Sequence, residues 1–214
     1  MVFHIGSLVM PLLHLLIKRV EGLDNIPKKG PFIIAANHMS FIDIFVILSA
    51  FKRRAKRRKC YVISAMFFAL DFLTTTLFSE FGGSIRLKRG VRGSYIKPAI
   101  RKLEGGHMVC IFPEGIPSRK KKLMRGKTGV ARLVLNGRVP VVPVGIKGTR
   151  EIWSKERPFP KLRRRITIKI GAPLNFNKYS KKRDDYETLE HVTTNIMEHI
   201  ADLLGAKYSY TKHH

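Results

Sequence analysis

The sequence is poor in cysteine and has no long apolar run. Only two of its 214 residues are cysteines, Cys60 and Cys110, and each lies in a short apolar segment. Their separation matches neither a metal-binding motif nor a disulfide framework, so we expect buried, reduced thiols and a reducing compartment. No apolar run is long enough to span a bilayer, and the nearest, residues 2–17, is interrupted by Pro11.

The apolar N-terminal segment does not resemble a signal peptide. It has no basic leader and no small-residue cleavage site, and Lys18 and Arg19 follow it. We predict a short apolar helix within residues 1–19 that packs on the rest of the chain or lies in a membrane interface. A single domain over residues 20–214 is predicted to follow.

Acidic residues are scarce. The chain has 15 Asp and Glu against 41 Lys and Arg, a net charge of +26. Such an excess repels itself in a compact chain, so an anionic partner is expected. Phospholipid surfaces, nucleic acids and phosphorylated small molecules all qualify, and composition does not choose among them. The 44% hydrophobic content excludes a wholly disordered chain.

Short apolar runs, typical of buried strands, alternate with segments of helical periodicity. Strands are predicted at residues 32–36, 61–63, 84–87, 108–112, 139–144 and 165–170, and helices at residues 41–51, 65–78, 94–103, 127–135 and 186–203. Pro140 and Pro143 predict that their strand lies at a sheet edge or in a bulge. The alternation indicates an α/β layer fold with a largely buried sheet.

The first chemical candidate follows the predicted strand at residues 32–36 and reads Asn-His-Met-Ser-Phe-Ile-Asp. Ser40 is suited to cap the next helix, and Asp43 stands in the capping-box position. This spacing can bring the Asp43 carboxylate to one imidazole nitrogen of His38, which leaves the other nitrogen to accept a proton from a hydroxyl. The structural alternative is a simple helix cap beside a loop histidine.

Two further segments follow predicted strands. Glu114 and Gly115 come just past residues 108–112, at the strand end where open α/β sheets bind ligands. The structural alternative for this pair is a bare turn.

The other segment is basic. Arg86 and Lys88 alternate onto one face of a strand, and Arg89 emerges at its end. Guanidinium groups bind phosphate bidentately, so this segment is a candidate phosphate site. A solvated basic edge is the structural alternative.

These three segments, together with Val-Pro-Val-Val-Pro-Val at residues 139–144, resemble the phospholipid and glycerol acyltransferase family, which includes the 1-acylglycerol-3-phosphate acyltransferases. The family pattern is H-x-x-x-x-D, then G-x-x-x-x-x-R, then F-P-E-G-T-R, then V-P-V-x-P-V. The resemblance runs from about residue 20 through residue 174. It implies a single-domain α/β fold with a mixed sheet and helices on both faces.

The resemblance implies an acyl transfer in which His38 is the general base and Asp43 orients it. An acceptor hydroxyl would attack the thioester of acyl-CoA or acyl carrier protein directly, with no metal and no cofactor besides that co-substrate. The acceptor is expected to be a lysophospholipid, most simply 1-acylglycerol-3-phosphate. The implied substrate-binding residues are Arg89 for phosphate, its neighbours Arg86 and Lys88, and the turn residues Glu114 and Gly115.

The chain departs from the family pattern at one point. Ile116 and Pro117 replace the threonine and arginine of F-P-E-G-T-R, which removes a charge and a backbone donor. Arg119 or the lysines at residues 120–122 are candidates to replace that charge. Otherwise the acceptor lacks a phosphate at this position.

Lipid substrates imply a membrane surface as a partner. We expect the N-terminal helix and the helix at residues 65–78 to enter the lipid interface while basic runs meet anionic headgroups, on the cytoplasmic face. Other acceptors stay open: glycerol-3-phosphate, an aminoacyl lipid or a glycolipid. A basic nucleic-acid-binding protein is a further alternative, although residues 52–59 contain no aromatic side chain. An inactive lipid-surface protein is disfavoured by the intact His38 and Asp43.

Overall fold

The strands form one sheet. The computed structural model describes residues 14–55, 58–64, 82–88, 90–91, 93–118, 122–153, 161 and 165–210. The strands are β1 (Ile17–Glu21), β2 (Phe32–Ala36), β3 (Cys60–Ser64), β4 (Gly82–Arg86), β5 (Met108–Ile111), β6 (Val141–Lys147) and β7 (Ile166–Ile170). Their order across the sheet is β1-β7-β6-β2-β5-β3-β4.

The sheet is mixed. Five adjacent strands, β6, β2, β5, β3 and β4, are parallel to one another, whereas β7 is antiparallel to β6 and β1 is parallel to β7. The parallel strands therefore bring their carboxyl ends, and the turns that follow them, to the same edge of the sheet. These turns carry the segments singled out in the sequence.

Helices cover both faces of the sheet. They are α1 (Asp43–Ala55), α2 (Ile96–Glu104), α3 (Gly129–Gly137), α4 (Thr149–Ile152) and α5 (Tyr186–Leu203), with 3₁₀ turns at Leu23–Asn25 and Asn177–Lys182. Strand β2 supplies Phe32 and Ile34 to the core under α1, and Ile33 and Ala35 to the core under α2, α3 and α5. This two-sided burial explains why β2 is apolar throughout. The predicted α/β fold is confirmed.

The closing helix is the element that local pattern predicts most fully. It spans Tyr186–Leu203, and Asp185 caps it by accepting a 2.8 Å hydrogen bond from the Thr188 amide. Leu189, Ile196 and Ile200 are fully buried on its inner side. Each such side chain contributes roughly 1.5–3 kcal/mol of transfer free energy.

The prediction that prolines place the fifth predicted strand at an edge or bulge is wrong, because β6 lies between β7 and β2. The Val141 amide donates to the Leu174 carbonyl, and the Gly171 amide donates to the Pro143 carbonyl. Pro143 therefore faces the segment that follows β7, since alternate strand residues face alternate neighbours. Strand β7 has already ended at Ile170, so no ladder bond with it needs the missing Pro143 N–H.

The N-terminal prediction needs a correction at its end. Residues 17–19 are not helical but belong to β1, which pairs with β7, so the boundary predicted after residue 19 falls inside a strand of the sheet. Residues 1–13 and the helix predicted at residues 65–78 lie outside the described residues. None of the helices in the described ranges has the length and apolarity to cross a membrane.

Candidate active site

The turn that carries His38 is joined to the next strand by a buried amide. The Asn37 side chain donates to the Ile146 carbonyl at 2.9 Å and accepts from the Ile146 amide at 2.7 Å. Asn37 thus continues the β2–β6 pairing by one residue after the backbone has left the sheet. Sequence reasoning assigned it no role, because its partner is distant in the chain.

One oxygen of Asp43 organises the whole turn. Oδ2 accepts hydrogen bonds from His38 Nδ1 at 2.9 Å, the Met39 amide at 2.6 Å and the Ser40 amide at 2.8 Å. The last is the backbone contact expected of a capping box, and α1 begins at Asp43 itself. Because an ionised carboxylate only accepts, the Nδ1 of a neutral His38 carries its proton and Nε2 is left with a lone pair.

Three further contacts hold His38. Its ring stacks on Phe112 with a centroid separation of 4.1 Å and an interplanar angle of 16°. Its amide donates to Glu114 at 2.7 Å, and its carbonyl accepts from the Ser118 amide at 2.8 Å. His38 is therefore held by Asp43, which follows β2, and by three residues that follow β5. About one sixth of its side chain, 16%, stays exposed.

Glu114 accepts hydrogen bonds from two backbone amides. One carboxylate oxygen accepts from the His38 amide at 2.7 Å and the other from the Met124 amide at 2.8 Å. Burial raises the pKa of Glu114 to about 7, although these two hydrogen bonds oppose the shift. The geometry favours a positioning role for Glu114 over direct contact with an acceptor, and the acceptor-binding role implied by the resemblance stays a prediction.

Gly115 adopts a conformation that its residue type permits. Its φ of +80° lies in the left-handed region, and its amide donates to the Phe112 carbonyl at 3.0 Å to close the turn. The Lys127 side chain lies directly across it. Sequence reasoning placed this lysine only at the start of a predicted helix and gave it no role near the turn.

An apolar cavity of about 490 Å³ opens beside His38. Ile44, Phe45 and Leu48 line it from α1, and Cys60 and Val62 from β3. Around the turns after β2 and β5 its lining includes His38, Phe41, Phe112, Pro113, Gly115, Ile116, Pro117 and Lys127. Its volume and apolar walls are typical of a site for a small ligand or a lipid chain.

Neither cysteine is a candidate nucleophile. Cys60 and Cys110 are both buried, and burial raises the pKa of Cys60 to about 12 and that of Cys110 well above its ordinary value. Both thiols therefore stay protonated near neutral pH. Within the part of the chain that the structure describes, no group of three or more histidine, cysteine or acidic side chains could hold a metal ion.

The predicted phosphate segment is only partly described. Arg86 and Lys88 are both exposed, whereas Ile85, which precedes Arg86 on β4, is buried. This agrees with the alternation of side chains along a strand. Neither basic residue is among those that line the cavity. Arg89 and Arg119 lie outside the described residues. The phosphate-binding roles of these four residues stay predictions.

The sequence and the fold agree with comparisons to known proteins. The acyltransferase family profile matches residues 18–147, more than half of the chain, and the chain belongs to this family. The match contains both turns that hold His38.

Two individual relatives show which kinds of acyltransferase the chain is similar to. The chain is 30% identical over 198 residues to a 1-acyl-sn-glycerol-3-phosphate acyltransferase of Limnanthes douglasii, covering 87% of this chain and 65% of that protein. It is 26% identical over 212 residues to tafazzin of Drosophila melanogaster, covering 90% and 52%. The chain spans between about a third and two thirds of the length of the curated relatives it matches.

A solved structure is similar over nearly the whole chain. The 1-acyl-sn-glycerophosphate (LPA) acyltransferase PlsC from Thermotoga maritima superposes with a TM-score of 0.66 at 26% identity, covering 95% of this chain and 78% of that one. The resemblance stated from four short motifs is thereby confirmed for the family and the fold.

Proposed function

We propose that the chain transfers a fatty acyl group from a thioester donor to the free hydroxyl of a lysophospholipid, with His38 as general base. The observation that carries the proposal is the His38–Asp43 pair, joined at 2.9 Å, with His38 on the lining of an apolar cavity. The oriented imidazole suits a substrate with a hydroxyl group, and the apolar cavity beside it suits an alkyl chain.

The reaction needs no acyl-enzyme. The acceptor hydroxyl gives its proton to His38 Nε2 as its oxygen bonds to the thioester carbonyl carbon. The tetrahedral adduct then collapses, the carbon–sulfur bond breaks, and the imidazolium returns the proton to the departing thiolate. The two buried cysteines take no part, since both stay protonated.

The proposed acceptor is 1-acylglycerol-3-phosphate, which gives phosphatidic acid, and the proposed donor is acyl-CoA or acyl carrier protein. The similarity to proteins named for 1-acyl-sn-glycerol-3-phosphate supports the acceptor. The basic net charge of +26 suits a phosphate-bearing acceptor. Glycerol-3-phosphate, an aminoacyl lipid and a glycolipid are the alternative acceptors that a substrate panel separates.

We also propose that the protein works at the cytoplasmic surface of an anionic membrane, as a peripheral or monotopic protein. Phe41 and Ile116 line the cavity yet keep 37% and 57% of their surface exposed, which suits contact with lipid chains near the site. Lys and Arg near such a surface each contribute about 1 kcal/mol of attraction. Release from vesicles by high salt would show that charge rather than apolar insertion dominates.

The decisive assay measures acyl transfer from acyl-CoA to 1-acylglycerol-3-phosphate by the His38→Ala variant. We expect a loss of about 10²–10⁴-fold in turnover, the contribution usual for a general base. His191→Ala is the matched control, since His191 is exposed on α5. Undiminished transfer by His38→Ala would remove the proposed chemistry.

A further inference from the structure

The turn after β5 lacks a cation where the family pattern has one. Pro117 stands at the arginine position of F-P-E-G-T-R, and Ile116 at the threonine position. Both residues line the cavity beside His38. A phosphate bound here therefore needs a positive charge from another part of the chain.

Lys127 brings a charge to this turn. A carbon placed at the Cβ position of Gly115 would lie 2.8 Å from Lys127 Nζ, 3.2 Å from Cε and 3.3 Å from Cδ. The end of the lysine side chain therefore runs across the open face of Gly115. The Lys127 amide also donates to the Pro113 carbonyl at 2.9 Å, which fixes the lysine backbone against the same turn.

The ammonium group has no counter-ion among the described residues. Arg125, two residues earlier, pairs with Glu190 at 2.9 Å, whereas no carboxylate lies within salt-bridge distance of Lys127 in that part of the chain. The nearby Glu114 carboxylate is occupied by two backbone amides. Lys127 is thus an unneutralised cation on the lining of the cavity that holds the proposed base.

The start of α3 adds to the positive potential. The helix begins at Gly129, its N-terminus has no side-chain cap, and Gly129 and Val130 line the cavity. The uncapped amides at a helix start favour an anion. Lys127 and this helix end therefore act in the same direction.

We propose that Lys127 binds the phosphomonoester of the acceptor, in place of the charge that Pro117 lacks. The inference rests on the proposed acyl transfer and names the residue that recognises its acceptor. An ammonium binds phosphate as a point charge that approaches from several directions. Gly115 leaves the space that the lysine side chain crosses, and any larger residue there would push Nζ aside.

The test compares Lys127→Met with Lys97→Met, a substitution of an exposed lysine on α2. Steady-state transfer to 1-acylglycerol-3-phosphate is measured with acceptor and acyl-CoA varied separately. We expect Lys127→Met to raise the acceptor KM about 10- to 100-fold, the effect of losing one charged hydrogen bond. The acyl-CoA KM and kcat should stay within about threefold, and Lys97→Met should match wild type.

Two rescue variants sharpen the result. Lys127→Arg keeps the charge and should recover most of the acceptor affinity. Pro117→Arg in the Lys127→Met background returns a cation to the turn and should lower the acceptor KM again. Thermal melting checks that Lys127→Met is folded. Because Lys127 is exposed and pairs with no carboxylate of the described residues, we expect an unchanged Tm.

Two results would overturn the assignment. An acceptor KM within twofold of wild type in Lys127→Met shows that the lysine does not bind the acceptor. A rise in the acyl-CoA KM alone shows that it binds donor phosphates instead. Failure of the proposed function looks different, since the wild type then transfers no acyl group. In that case equilibrium binding of dodecyl phosphate, with dodecanol as the uncharged control, still decides whether Lys127 binds a phosphomonoester.

Discussion

The turns after β2 and β5 each hold a buried carboxylate, and these two carboxylates have different partners. Asp43 is fully buried, and a single oxygen of its carboxylate accepts hydrogen bonds from the imidazole and from two backbone amides. Glu114, with 2% of its surface exposed, accepts one backbone amide on each oxygen. The first therefore acts on the group proposed to react, and the second on the relative position of two loops.

The two turns also differ in how much of the family pattern they keep. The turn at residues 38–43 keeps both residues of the family pattern, whereas the turn at residues 112–117 loses two of its six. The proposed base and the acid proposed to orient it are both present, and the departure falls where an acceptor is proposed to bind. We therefore expect the first turn to control turnover and the second to control stability and acceptor choice.

Of the two carboxylates, Asp43 is expected to have the larger effect on turnover. Asp43→Asn can keep one oxygen facing the three donors, because they all bond to Oδ2, but it replaces the buried carboxylate by a neutral amide, so the imidazolium formed during proton transfer loses its stabilising charge. We expect kcat for acyl transfer to fall about 100-fold with little change in acceptor KM. Asp202→Asn, an exposed position on α5, is the control. A change confined to KM would assign Asp43 to binding.

A smaller loss of activity and a larger loss of stability are expected for Glu114. Glu114→Gln turns an amide NH₂ toward a backbone donor, so one of two buried hydrogen bonds is lost and a donor is left unpaired. The free energy of unfolding should fall by about 1–3 kcal/mol in urea titrations. Glu104→Gln, at an exposed position, should change it little. A fully stable but inactive Glu114→Gln would make Glu114 a chemical rather than a positioning residue.

Titration of Glu114 should make the free energy of unfolding depend on pH. Its pKa is raised from 4.5 to about 7 by burial, so between these values the folded chain keeps a proton that the unfolded chain has released. Its contribution to stability is thus present below pH 4.5 and is lost as the pH rises through about 7, by roughly 3 kcal/mol in total. The difference in unfolding free energy between wild type and Glu114→Gln should therefore vary with pH across this window. A constant difference would show that Glu114 titrates normally.

Local sequence pattern was sufficient for elements whose burial is either periodic along a helix or continuous along a strand. The closing helix and β2 were predicted with their observed bounds because one is amphipathic and the other is buried on both faces. The pairing of His38 with Asp43 was also predictable, because the two residues lie only five positions apart at a helix start.

The features that local pattern missed depend on distant parts of the chain. Strand β1 is half-exposed and carries Lys18 and Arg19, so only its pairing with β7 identifies it. The bridge from Asn37 to Ile146 joins residues on different strands. Lys127 reaches Gly115 through the packing of the loop before α3, which no periodicity encodes.

The most direct test of the account is a double-mutant comparison of acyl-transfer rates for His38→Ala, Asp43→Asn and the variant with both changes. If Asp43 acts only by orienting His38, its substitution has nothing left to disturb once the imidazole is gone. The double variant should therefore be no slower than His38→Ala alone. Losses that multiply in the double variant would contradict it, because the two residues would then act independently.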